Sequence, residues 1–381
     1  MALSKIDVAN MLTGLVPNDN TIRRPNSKPL IINGDMVVAQ RGTSTASITG
    51  GAFYTVDRFE TANSGAFIGT WTQTQESLSS GSPFTDGFAK SLKMDCTTAN
   101  GSPTANSQCR LDYKFEGQDL QLLKHGTANA EKTTLSFWIK ATKTGTNIVK
   151  MYKPDADRSC SIAYTVSSSD TWEYKVLNFP ADTSGTVIAN DNTAGIQMSF
   201  GIAMGSSYTS GTLATAWAAD ASANSFVGQV NNADSTSNNW EITGVQLEVG
   251  EFTSTTLPPF QHESFADNLL RCQRYHLTYA EGNGKMIGVA ASYNTSEVVL
   301  MHNFPTSMRT APTLDINTGS NYYSHGEANS VEGITGSNIA IDRAHSNGAQ
   351  LLLTSMSSNQ GDGGFLYTGN SSSKISYKAE L

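Results

Sequence analysis

TLSFWIKAT, Thr134 to Thr142, decides how the chain folds. Leu135, Phe137 and Ile139 point one way along it, and Ser136, Trp138 and Lys140 the other, which is the two-residue period of a half-buried strand. Runs of the same kind lie on both sides, among them FIGTWTQTQ from Phe67, FAKSLKMD from Phe88, IVKMYK from Ile148, WEYKVLNF from Trp172, GIQMSFGIAM from Gly195 and WEITGVQLEVG from Trp240. Gly, Asn, Ser and Asp clusters separate them from Leu30 to about Phe260. Many short strands at regular spacing predict an all-β fold, a sandwich or jelly roll and not a parallel α/β sheet.

The period changes at SFADNLLRCQRYHLTYA, where Phe265, Leu269, Cys272 and Tyr275 or His276 fall at helical spacing after the Pro258-Pro259 break. This predicts one helix between two modules. Strand patterns return in MIGVAASY, EVVLMHNF, IAIDRA, QLLLTSM and the closing KISYKAEL. Two modules also suit 381 residues, because a single core stops growing at roughly 250–300. At the other end Ser4 is placed to cap a short helix in which Ile6, Val8, Met11, Leu12 and Leu15 supply the apolar stripe, and Pro17 ends it. So short a helix needs a partner for that stripe, and the polar NDNTIRRPNSKP after it reads as a linker.

Charged residues are 15% of the chain and the formal charge is −8, with Lys and Arg never clustered, so no nucleic-acid partner is expected. No apolar run is long enough for membrane insertion, and the N-terminus lacks the features of a secretory signal. Release by a route other than general secretion, such as lysis, is expected. Cys96 and Cys109 flank the polar loop TTANGSPTANSQ between two strand-like segments, so either a disulfide across a hairpin or two small buried thiols fits.

Three segments carry a resemblance. IINGDMVVAQRGT (Ile31 to Thr43) with YTVDRF (Tyr54 to Phe59), ITGVQLEVGEFTSTTLPPFQHESFADNLLRCQRYH (Ile242 to His276), and FPTSMRTAPTL (Phe304 to Leu314) with a terminal strand ending Ala379-Glu380-Leu381 resemble, in that order, bacteriophage tail-fibre and appendage proteins. The resemblance implies an N-terminal anchoring helix and linker at 1–29, a carbohydrate-binding-module-like jelly roll at 30–260, a connecting helix at 261–285 and a smaller C-terminal β-sandwich at 286–381. It further implies a homotrimer in the virion, assembled in the host cytoplasm, with other tail or head proteins and host-surface glycan as partners. The arm is short and no coiled-coil or collagen-like shaft follows it, so a compact appendage is expected. A head decoration or adaptor without host contact is the alternative within the virion.

A tailspike-like polysaccharide depolymerase is the enzymatic alternative, and it needs paired carboxylates. Asp35, Asp57, Glu116, Asp119, Glu241, Glu248 and Glu251 are the candidate acids, but no spacing singles out a pair. Asp35 and Asp57 are expected to brace turns or meet Arg41 and Arg58. His262, Cys272 and His276 are the one grouping of zinc-type ligands, at no familiar spacing, so neither metal nor cofactor is assigned. A structural Ca²⁺ leaves little sequence trace and stays open with no residues named. No GxSxG, Walker or HExxH motif is present. The expectation is a protein that is not an enzyme. Among Trp71, Trp138, Trp172, Trp217 and Trp240, Trp217 is the candidate glycan-stacking residue, since its Ser/Ala/Gly-rich surroundings read as a loop.

Overall fold

The structure, a computed structural model, describes residues 28–327 and 330–381. The expected anchoring stripe of Ile6, Val8, Met11, Leu12 and Leu15 lies outside the described residues. What is described is all-β, with 43% of residues in strands and 9% in helices.

The first module runs through β1 (Ser44–Ile48), β2 (Glu60–Ala62), β3 (Thr70–Ser77), β4 (Lys90–Thr98), β5 (Gln108–Glu116) and β6 (Thr133–Ala141). It continues with β7 (Gly145–Lys153), β8 (Arg158–Val166), β9 (Glu173–Phe179), β10 (Ala194–Met204), β11 (Ala218–Ala219) and β12 (Asn239–Val249). These strands form two antiparallel six-stranded sheets, β1-β3-β4-β12-β6-β9 and β11-β8-β7-β10-β5-β2. One alternating set from each sheet fills the space between them: Trp71, Leu92, Phe137 and Trp240 from the first, Leu111, Tyr113, Met151 and Phe200 from the second. Phe200 meets Phe137 edge-on at 5.2 Å between ring centres, a geometry that aromatic quadrupoles favour. Trp138, out of phase in TLSFWIKAT, stands on the outer side of the first sheet against Tyr174.

Cys96 and Cys109 are free, buried thiols and no hairpin joins their strands. β4 belongs to the first sheet and β5 to the second, so the polar loop between them crosses the sandwich from one sheet to the other.

After the first module, Ser264 caps a helix, α1 (Phe265–Gln273), by accepting the Asp267 backbone N–H at 3.2 Å. The helix is shorter than the expected 261–285 segment, because His276–Glu281 is already a strand, β13. Tyr275 and His276 continue the apolar spacing of α1 by coincidence of burial, each being 1% exposed. The C-terminal module then follows with β14 (Met286–Ser292), β15 (Glu297–Asn303), β16 (Thr313–Ile316), β17 (Tyr323–Glu327), β18 (Ser330–Ile334), β19 (Ile339–His345), β20 (Gly348–Thr354), β21 (Gly363–Thr368) and β22 (Lys374–Lys378). A three-stranded sheet, β13-β22-β16, packs on a seven-stranded one, β18-β17-β21-β14-β15-β20-β19. Leu277, Ile375 and Tyr377 from the small sheet meet Ile287, Leu300 and Leu351 from the large one in a second, separate core.

Candidate functional site

The inward phase of β5, β7 and β10 fills the core, so the opposite phase must face out. That outer row is polar. Across the second sheet Glu60, Asp112, Ser199 and Lys150 lie on one line of facing residues, and Lys114, Gln197 and Tyr152 on the next. The segment from Gly205 to Val230 folds over one end of this face, held by Ser161 N to Ala214 O at 2.7 Å and Val230 N to Thr146 O at 2.9 Å. Phe226 anchors it by packing with Ile148 and Met204. Between the segment and the sheet lies a cleft of about 220 Å³ lined by Gln108, Arg110, Lys150, Tyr152, Gln197, Ser199, Tyr208, Asp220, Ser222, Ser225 and Phe226.

Its polar groups hold one another in place. Arg110 Nε donates to both oxygens of Asp112 at 2.9 Å, and Gln197 Nε2 donates to the same carboxylate at 2.9 Å. Lys150 Nζ sits 2.6 Å from Asp220 and donates to Ser225 Oγ at 3.0 Å, and lies 5.3 Å from the centre of the Tyr152 ring. Burial raises the Tyr152 phenol, and the acceptor Asp157 raises it further, so the hydroxyl stays protonated and donates to Asp157 at 3.1 Å. Arg carries five N–H donors and Lys three, so these side chains keep donors for a ligand after their mutual bonds are made. The cleft therefore offers fixed donors and acceptors beside two tyrosine rings, which suits a polar, ring-shaped ligand.

A larger hollow, about 540 Å³, lies between the modules beside Leu30, Asp119, Leu270 and Arg274. Its two arginines are already committed. Arg274 makes a two-pronged contact with Glu116 at 2.6 Å, and Arg271 pairs with Glu263 at 2.6 Å and Pro29 O at 2.7 Å.

Trp217 is not a ligand platform. It is 9% exposed, belongs to the first core, donates its indole N–H to Pro180 O at 2.8 Å and meets His125 edge-on. The Ser/Ala-rich sequence around it is a loop that dips into the sandwich, which composition alone does not distinguish from one that stays outside. Trp71 and Trp240 are core residues, and Trp172 carries Lys140 over its ring at 5.1 Å.

The candidate acids are scattered. Glu241 bonds Ser91 and Lys140 on the first sheet, Glu251 pairs with Lys132 at the surface, and Glu248 accepts from Gln246. Asp35, Asp57 and Glu116 instead gather at the seam between the modules, where the three motif segments also converge. Gly34 allows the turn of IINGD to press on β12, since a Cβ there would stand 2.1 Å from Val245 O. Asn33 then ties Val38 and Asp57 backbone together, and Asn268 of α1 reaches Asp35 at 3.1 Å. Asp57 meets Arg41, as its position suggested, and Arg41 and Arg58 both pair with Glu380, at 2.6 and 3.1 Å. Arg58 lies between two tyrosines, 3.4 Å from the Tyr275 ring centre and 5.2 Å from that of Tyr113. Burial pushes the Asp57 carboxyl up to about 6 against the opposing pull of Arg41 and Gln40. Burial also pushes Glu116 up, but Arg274 and Tyr275 outweigh it and hold the carboxyl below its ordinary range. His262, Cys272 and His276 form no ligand set, and no group of three metal-binding side chains occurs among the described residues.

No protein-family model matches the chain, and no characterised protein matches it in sequence. Among solved structures, the enzymatically active domain of tailspike protein 4 from bacteriophage CBA120 is 12% identical at a TM-score of 0.29, over 58% of this chain and 21% of that one. A Bacteroides thetaiotaomicron VPI-5482 protein assigned to sugar binding is 14% identical at 0.31, over 58% of this chain and all of its own. TmCBM61, solved with β-1,4-galactotriose, is 9% identical at 0.24, over 58% of this chain and 99% of its own. These are partial likenesses, and neither ligand nor activity passes from them to this chain.

Proposed function

We propose that the chain is a compact virion appendage protein whose first module binds a host-surface glycan in the cleft on the second sheet. The cleft carries this reading: fixed donors and acceptors from Arg110, Asp112, Lys150 and Gln197 stand beside Tyr152 and Tyr208 on a rigid sheet face. Sugar rings bind by stacking an apolar face on an aromatic ring while neighbouring polar groups hold the hydroxyls, and both kinds of group are present. The order of the three motif segments supports virion origin, a homotrimer and attachment through the arm at 1–29. The protein acts without catalysis in this reading, since Asp112 and Asp220, the cleft carboxylates, are each held by a cation and the other candidate acids lie elsewhere.

The test is titration calorimetry of the full chain against a panel of host-surface oligosaccharides, with Tyr152→Ala and Tyr208→Ala alongside. Binding by the wild type that falls at least about tenfold in either variant, each with an unchanged melting point, is the expected result. No binding across the panel, or binding untouched by both substitutions, overturns the cleft. Release of new reducing ends during the incubation overturns the non-enzymatic reading.

A further inference from the structure

The glycan reading leaves one large surface unused, the outer face of the seven-stranded sheet. Val331, Gly326, Phe365 and Val289 stand opposite one another across β18, β17, β21 and β14. Two residues on in β14 the line resumes as Ala291, Val299, Leu352 and Ala340 across β15, β20 and β19. An apolar stripe therefore crosses all seven strands. Val289 is 73% exposed, Val331 67%, Met301 62%, Met286 61% and Phe365 54%, with Tyr293 at 66% in the adjoining turn. The inward phase of the same strands already fills the module's core, so these side chains do nothing for its own packing. Sheets with one face in water normally carry polar residues on that face, and contiguous apolar patches beyond a few hundred Å² mark interfaces.

We propose that a second copy of this chain covers the stripe, the C-terminal sandwiches of neighbouring copies packing sheet against sheet. Three observations select that occupant. Given side chains of about 150–250 Å², the six exposed groups offer roughly 700 Å², close to the ~800 Å² that each partner contributes to a standard stable interface. The stripe is also unobstructed at its middle: Gly326, between Val331 and Phe365, raises no side chain, and a Cβ there would meet only the Tyr367 ring and Val331, at 3.6 and 3.9 Å. The charges on this face stay at the margins, with Asp342 and Arg343 on the edge strand β19 and Glu297 at the first position of β15, giving the apolar centre and polar rim of a protein interface. A glycan would need hydrogen-bonding groups that the stripe lacks.

This inference rests on the homotrimer reading and names its surface. Sedimentation velocity of the full chain, compared with Val289→Glu and Phe365→Glu, tests it, with circular dichroism to follow the fold. The expected result is an oligomer for the wild type and at least about tenfold weaker association for each variant at an unchanged spectrum. A monomeric wild type overturns both the inference and the homotrimer. An oligomer that neither substitution weakens keeps the homotrimer and overturns this face. Should glutamate disturb the strands, Val289→Thr, which is nearly the same shape, serves as the variant; association as tight as wild type would equally overturn the proposal, and weaker association would support it.

Discussion

The two sandwiches handle polarity in opposite ways. The first buries charge inside and shows hydrogen-bonding groups outside: Lys153 and Asp182, 0% and 1% exposed, pair at 2.6 Å with Arg158 bonded to the same carboxylate, while the outer face of the second sheet carries the polar cleft. The C-terminal sandwich buries a neutral network, His302 between Tyr377 Oη at 2.5 Å and Ile287 O at 3.1 Å and stacked on Tyr279, and shows an apolar stripe outside. A face that presents preset donors and acceptors suits a small hydrated ligand, and a face that presents valine, methionine and phenylalanine suits another protein surface. The seam joins the two, and its ion pairs decide whether they behave as one body.

Breaking the seam is the largest test of that contrast. Removing one member of a buried charge cluster weakens the pairing of the others, so Arg58→Ala, which leaves Glu380 with Arg41 alone and takes the cation from the Tyr275 ring, is expected to cost about 3 kcal/mol. Urea unfolding followed by near-ultraviolet circular dichroism should show one transition for the wild type and two for the variant. A single transition at an unchanged midpoint would mean that the modules were never coupled through this arginine.

Acid should then separate the modules by their buried groups. Burial lowers His302 to about 4 and His276, at the seam, to about 2, both from 6.5. Their folded forms are neutral, so below pH 6.5 the unfolded chain takes protons that the fold refuses, and stability present above 6.5 is lost as pH falls. In the first module Asp182 is pushed up by burial but held below 3.8 by Arg158 and Lys153, so its contribution survives until pH falls beneath that value. His125, lowered by burial, pulls the first module the same way as His302, and Asp57, raised to about 6, gains stability on acidification and offsets part of the seam's loss. Between pH 7.5 and 5 the C-terminal transition in scanning calorimetry of Arg58→Ala, where the two modules unfold separately, is expected to lose up to about 2 kcal/mol relative to the first. The reverse order would mean that His302 is protonated inside the fold.

The smallest effect is also diagnostic. Met301→Ser on the exposed stripe should change the unfolding free energy of isolated, dilute protein by no more than about 0.5 kcal/mol, because a surface side chain without local partners does little for the fold. A loss of several kcal/mol would show that the stripe packs within its own chain.

Much of this architecture was legible in the strand alternation. TLSFWIKAT read correctly down to Trp138, because backbone pleat fixes which side chains share a face. The cleft was not legible, although its sheet residues are the outward phase of QCRLDYKFE, IVKMYK and GIQMSFGIAM, since polar outward residues are the default of any strand and only sheet order shows which of them become neighbours. Trp217 failed for the converse reason, a loop composition wrapped around a core side chain. The seam lay half in view: Asp57 and Arg41 are near in sequence, whereas Glu380 joins them from 339 residues beyond Arg41.

That separation gives the molecule a sense of time. During synthesis the first sandwich has every strand it needs by Val249, yet Arg41 and Arg58 wait for Glu380, and Lys114 waits for Leu381, whose carbonyl it reaches at 2.9 Å. Contacts between such distant residues form slowly and late. A chain cut short of Ala379 therefore keeps every strand of its first module and loses Glu380 from both arginines, with Arg41 left on Asp57 and Arg58 on the Lys114 carbonyl. The seam therefore reports, from within the first module, whether the chain extends through Glu380.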